Sequence, residues 1–344
     1  MLTSDSNKII KYIEDNFKLA MNGFKELQEL YDYLNSIQNH YDIIKSNPND
    51  NNNHLSMDNH FISDEIKTTI KSLKKNQNII LKINNNEVNI NIYYNDKNIR
   101  LFTYNIIIVI AFFTHLMKQE NMKLNINYYL TDFKKNINNN INDGFKHEHM
   151  NSGSCGMNTI NIWRKEEIMK VTIHELFHLF NCDKSYNDNS FILNLYHERY
   201  NINSDKVNTF EAYTEIWANI LNCYFLSKNN YKSFVKYLSI EKEWCTFQTH
   251  KIFYLTDLDK KSKIDINKYT NVLAYFVIRC EIYGHFKDFI RIFGKNICCN
   301  SSHYFNFLKK NRKCKRKDDI IKKLSKRSYI YKNLRMSAAE YKLF

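Results

Sequence analysis

The sequence predicts an α+β fold in which a strand-rich half is followed by a helical half. Three observations predict it. Short strand-like runs recur between Ile79 and Trp163. An apolar segment with no Pro or Gly, Lys165–Phe180, reads as a buried helix. From Val207 to Phe293 apolar residues recur at helical spacing with no strand pattern between them.

The elements follow in order. Thr3–Asn35 is helical, with Ile9, Ile13, Phe17, Ala20, Phe24 and Leu27 at helical spacing. Asn47–His60 is a polar Asn/Asp/His stretch with the only proline, Pro48, and reads as a linker in which His54 and His60 are solvated. Ile79–Ile83 and Glu87–Tyr93 flank Asn84-Asn85-Asn86 as a hairpin. Tyr104–Lys118 is an apolar helix whose run Ile106–Phe113 is too short for a bilayer, which needs about 20 residues, so a core helix is expected and no transmembrane segment. Lys123–Leu130 is a strand, Asp132–His149 is polar with a loop at Asn136–Asn140, and Met157–Trp163 is a second strand. Asn151–Gly156 holds two of the six glycines and reads as a flexible turn, a lid or substrate loop. After Phe180, helices are expected at Val207–Phe225, Asn230–Ile240, Glu241–Leu255, Asn267–His285 and Phe286–Phe293.

The chemistry sits in His174-Glu175-Leu176-Phe177-His178, an HExxH motif. A helix turns about 100° per residue, so His174 and His178 stand one above the other and aim at a common point. Glu175 lies one step around, suited to act as a general base on a metal-bound water rather than as a ligand. Val171, Ile173, Leu176, Phe177, Leu179 and Phe180 make the helix apolar. Burying two histidines and a glutamate there is costly without a purpose. The alternative is a core helix whose histidines are only hydrogen-bonded.

A third ligand has three candidates. Glu211 and Glu215 are four residues apart on the Val207–Phe225 helix and share a face. Glu211 is favoured as the ligand and Glu215 as the group that orients a ligand histidine. Asp183 is the rival, five residues after His178 with no glycine to turn the chain.

HExxH on one helix and Glu211-Ala212-Tyr213-Thr214-Glu215 on a later one resemble the gluzincin group of zinc metallopeptidases, which includes thermolysin-like enzymes. The layout is also similar to gluzincin-like proteins of large DNA viruses. The second motif departs in two ways: Phe210 precedes Glu211 where Asn is usual, and Glu215 stands where Asp is common. The resemblance covers Gly153–Phe225. It implies a two-lobed zincin-like unit, with a small mixed sheet and the HExxH helix above a helical lower lobe, and one zinc per chain on His174, His178 and Glu211. It implies peptide or protein substrates and a peptide hydrolase in which Glu175 activates the zinc-bound water. It further implies that Met157–Trp163 is an edge strand pairing with substrate, through Asn158 and Thr159. A lower-lobe Tyr or His would stabilise the oxyanion, with Tyr275 ahead of Tyr283 and His285. The expected division is 1–60 as an N-terminal helical segment and linker, 61–183 as the upper lobe, 184–305 as the lower lobe and 306–344 as a basic tail.

Composition sets the remaining bounds. A chain of 344 residues can bury a full core, and a net charge of +14 owes much to the lysines and arginines between Lys309 and Arg335. That tail reads as a solvated helix face with Ile320, Ile321 and Leu324 turned inward. Its second reading is a surface for nucleic acid, a membrane surface or an acidic partner, and a catalytically inactive scaffold using the cleft or tail is the alternative to an enzyme. The eight cysteines form no CxxC pair, and Met1–Tyr12 lacks a charged start followed by an apolar stretch. Reduced thiols and a cytoplasmic setting are therefore expected, in the host cytoplasm or a virion if the chain is viral.

Overall fold

The structure, a computed structural model, describes every residue except 50–60, 97, 138–140, 142, 184–187, 203 and 259–264. The expected linker histidines His54 and His60 and part of the Asn136–Asn140 loop lie outside the described residues. The fold is α+β with a six-stranded mixed sheet. In chain order come helices α1 (Ser4–Asn16) and α2 (Lys25–Ser36), strand β1 (Asp42–Asn49), α3 (Asp64–Lys71), the hairpin β2 (Lys75–Ile83) and β3 (Asn86–Tyr94), α4 (Arg100–Met117) and β4 (Lys123–Tyr129). Then follow α5 (His147–Met150), β5 (Gly153–Gly156), β6 (Thr159–Ile162), α6 (Ile168–Leu179), α7 (Ser190–Tyr200), α8 (Thr209–Ser227) and α9 (Tyr231–Thr256). A π-helical segment (Leu273–Ile278) leads into α10 (Arg279–Gly284), α11 (Phe286–Phe293), α12 (Ser301–Lys310), α13 (Asp319–Lys322) and α14 (Tyr329–Lys332).

Two compact units share the chain. The sheet-bearing unit comprises Leu34–Lys134, Asn151–Phe180 and Lys342–Phe344; the helical unit comprises Met1–Tyr33, Lys135–Met150 and Asn181–Tyr341. These boundaries differ from the four consecutive parts expected from sequence, because Met1–Tyr33 and Lys135–Met150 join Asn181–Tyr341 in the helical unit.

In the sheet-bearing unit the strand order is β1-β2-β3-β4-β6-β5. The β3–β4 and β4–β6 pairs are parallel and the others antiparallel. Alternation explains its two faces. Ile79, Leu81, Ile83, Val88, Ile90, Ile92, Leu124 and Ile126 are buried on one side. On the other face asparagines of neighbouring strands bond side chain to side chain: Asn78 donates to Asn91, Asn91 to Asn127 and Asn127 to Asn161, at 2.8–2.9 Å. The hairpin turns at Asn84, whose φ of 52° suits asparagine.

Pro48 lies in β1 rather than in a linker, and the strand tolerates it because β1 is an edge. At the other end the structure corrects a second expectation. Residues 159–162 form an interior strand between β4 and β5, so Thr159 is not on an edge. Asn158 stands in the β5–β6 turn at φ 59°, and its carbonyl accepts from Asn125 N–H at 3.0 Å. The terminal strand at this end of the sheet is β5, in the segment expected to be a flexible loop.

Helix α4 has a mean hydropathy of 1.6 over 18 residues and meets a membrane span's length and composition, though 56% of it is buried. It packs on α6 and β2, with Phe113 edge-on to Phe177 at 5.2 Å, as expected of a core helix.

In the helical unit Ile9 and Ile13 of α1, one turn apart, pack with Ile240, Trp244 and Phe247 of α9. Helix α9 runs unbroken for 26 residues where two helices were expected. The chain end is no loose tail. Lys309–Arg327 is largely exposed, but residues 333–340 are buried. Arg335, fully buried, meets Glu340 at 3.2 Å and donates to Ser6 Oγ at 3.3 Å. The amides of Ala338 and Ala339 and the Ser337 hydroxyl donate to buried Glu241.

Candidate metal centre

Helix α6 carries the motif and is fixed before any ligand is considered. Tyr128 of β4 and Thr172 of α6 share a hydrogen bond of 3.1 Å, and Thr172 also bonds back to the Ile168 carbonyl. Every α6 residue is buried except His178, which is half-buried. His174 is 7% exposed and Glu175 is 5% exposed.

One helical turn brings the two imidazoles together as expected. Their centroids lie 4.7 Å apart at 78°, and the two Nε2 atoms are 3.0 Å apart. Two nitrogen ligands of a tetrahedral zinc stand about 3.3 Å apart for bonds near 2.0–2.1 Å, so the pair needs only a slight opening to share an ion. One donor atom each from His174, His178 and Glu211 lies within 4.8 Å of the other two. Among the described residues this is the single group of three such donors. Two imidazoles and a carboxylate form a set able to hold a metal ion.

The other candidates are distributed differently. Asp183 is 3% exposed and does not belong to the three-donor group. Glu215, one turn beyond Glu211 on α8, accepts from Arg279 Nη1 at 2.9 Å. Arg279 is fully buried and also donates to Asn219 Oδ1 at 3.1 Å. Tyr275 sits in the π-helical segment and is 7% exposed. Tyr283 points its hydroxyl at Asn219 Oδ1, 3.5 Å away, while His285 accepts the Arg312 N–H at 3.1 Å; each is occupied elsewhere in the helical unit.

Sequence reasoning missed two residues. A Cβ built on Gly153 of β5 would lie 2.5 Å from Glu175 Oε1 and 2.9 Å from its Cδ and Cγ, so only glycine lets the strand pass that carboxylate. The available signal was the scarcity of glycine in this chain. The second is Arg279, legible only as a charge inside the apolar run Leu273–Tyr283.

No family model matches the chain, and neither a curated protein nor a solved structure does.

Proposed function

We propose that the chain is a zinc-dependent peptide hydrolase of gluzincin type, with one zinc per chain on His174, His178 and Glu211. The observation that carries this reading is the convergence of those three donors with Glu175 adjacent on the same helix. A two-nitrogen, one-oxygen donor set that leaves a coordination position open is the pattern of catalytic zinc. When bound, zinc would supply Lewis acidity toward a peptide carbonyl and lower the pKa of water.

The side chains supply the rest. Glu175 takes the proton of the attacking water and returns it to the leaving amine. Gly153 leaves its carboxylate room to do so. Tyr275, in a π-helical segment of the kind often found at functional sites, is the donor proposed for the oxyanion. Substrate pairing is assigned to β5, because β5 rather than β6 is the outermost strand at that end of the sheet.

The test measures zinc per chain in the wild type, Glu211→Ala and Asp183→Ala, then cleavage of a peptide library by the wild type and Glu175→Gln. About one zinc, lost in Glu211→Ala and kept in Asp183→Ala, with cleavage abolished in Glu175→Gln, is the expected result. A zinc-loaded wild type that cleaves nothing would leave an inactive scaffold. A folded chain that takes up no zinc would transfer attention to the exposed lysines of 309–327, where salt-dependent nucleic-acid binding is the assay.

A further inference from the structure

Three of the eight cysteines meet within the helical unit. Cys245 comes from the middle of α9, Cys280 from α10 and Cys314 from the basic segment after α12. One helical turn gathers them. Cys245 donates to the Phe276 carbonyl at 3.6 Å, and Cys314 to the Val277 carbonyl at 3.7 Å. Those carbonyls belong to the residues four and three before Cys280. A helical side chain leans back over the turn preceding its own Cα, so the Cys280 thiol covers that same turn. Its Sγ lies 3.9 Å from Thr246 Oγ1, beside Cys245. Cys280 also shares a thiol hydrogen bond with Cys245 and another with Cys314. The three sulfurs therefore stand in series, with Cys280 in the middle.

Burial orders their reactivity. Cys245 and Cys280 are buried, whereas Cys314 is half-buried. The Cys280 thiol is held well above its ordinary pKa: contact with Cys245 pulls it down, but contact with Cys314 and burial outweigh that pull. An oxidant from solvent therefore meets Cys314 first. Arg312, Lys313, Lys315 and Lys317, all exposed, surround Cys314 in sequence with positive charge. That field favours an anionic oxidant, and glutathione disulfide is one.

We propose that Cys314 and Cys280 are a redox-modification site, forming a reversible disulfide when the chain meets glutathione disulfide. The Cys314 thiol gives its proton to solvent, and its sulfur attacks glutathione disulfide and releases one glutathione. The Cys280 sulfur, its proton also lost, attacks the Cys314 sulfur and releases the second glutathione. Two thiols thus give two electrons and two protons to one glutathione disulfide, which leaves as two glutathione molecules. The new bond closes a covalent loop around α11 and α12 and fastens the basic segment to α10. In a reducing compartment such a bond is transient, which suits a sensor. None of these residues takes part in the zinc reading, so the proposal stands or falls without peptide hydrolysis.

The reduced full chain is incubated with glutathione disulfide, free thiols are alkylated, and links are mapped by mass spectrometry. The expected product is a peptide joining Cys280 to Cys314, lost again on treatment with dithiothreitol. Cleavage by trypsin within 309–317 should be slower in the oxidised protein. Cys280→Ser should stop at a glutathione adduct on Cys314, and Cys314→Ser, at a half-exposed position, should leave Cys280 unmodified. Cys182 and Cys298 are also in thiol contact, and Cys298→Ser should leave the Cys280–Cys314 link intact. Circular dichroism checks the folding of each variant. A folded wild type that forms no link, a glutathione adduct on Cys314 that Cys280 never displaces, or a link only between other cysteines would each overturn the assignment.

Discussion

Two polar arrangements in the molecule have opposite logic. In the helical unit Glu281 accepts from Tyr196, Tyr200 and Arg199, and Glu241 from Ser337, Ala338 and Ala339. Donors face acceptors and each carboxylate is answered by the protein itself. On α6, His174 and His178 bring their Nε2 atoms to 3.0 Å, and with Glu211 they form a group whose neutral imidazoles and carboxylate can each offer a lone pair to one ion. Such a group could hold a cation. The first arrangement is expected to hold stability and the second activity, and substitutions should separate the two.

Glu175→Gln should have the largest effect, a fall in peptide hydrolysis of about 10²–10⁴-fold or more, with zinc content and thermal midpoint unchanged. Steady-state kinetics beside metal analysis checks it; a matching loss of stability would place Glu175 with the structural carboxylates. Arg279→Met strands the Glu215 charge in the interior and should cost about 3–5 kcal/mol in urea unfolding. An unaltered midpoint would mean that the Arg279–Glu215 pair is not structural.

His250 tests the helical unit by pH. It is 4% exposed, and burial, then the nearby charge of Lys317, lowers its pKa from 6.5 to about 4. A base with a depressed folded pKa contributes no penalty above pH 6.5. As pH falls from 6.5 toward 4 the unfolded chain takes up a proton that the folded chain refuses. Stability should therefore drop across that window by up to about 3 kcal/mol, and His250→Gln should remove this component. Urea midpoints at pH 7.5 and 4.5 decide it. Gly153→Ala should have a smaller effect, displacing the Glu175 carboxylate and lowering kcat about 10–100-fold while zinc stays bound. Unchanged kcat would show that β5 yields instead.

Much of the architecture was legible beforehand. The β2–β3 hairpin, α4, β4, α6, α8 and α11 fall close to where alternation and helical spacing put them. Those signals are local and repeat along the chain. The misses have other causes. Ser190–Tyr200 and Ser301–Lys310 fold as helices without a strong apolar stripe, steadied by the side-chain caps of Asn189 and Asn300. The segment Gly153–Gly156 became a strand because β6 gave it a ladder. The end of the basic tail was read as surface, yet Arg335 is buried beside Glu340. Deleting Lys309–Phe344 would therefore strip Glu241 of its donors, and charge substitutions within 309–327 are the sound probe of the tail.

By itself the sequence determined that His174, Glu175 and His178 share one buried helix, because 3.6-residue periodicity and apolar flanks suffice for that. It also determined that Glu211 and Glu215 share a face. Which carboxylate joins the histidines, which one is claimed by Arg279, and that Gly153 must pass against Glu175 were decided only in the tertiary structure. Spacing along a helix fixes direction within that helix, whereas distance to a residue far away in sequence depends on how separate segments pack.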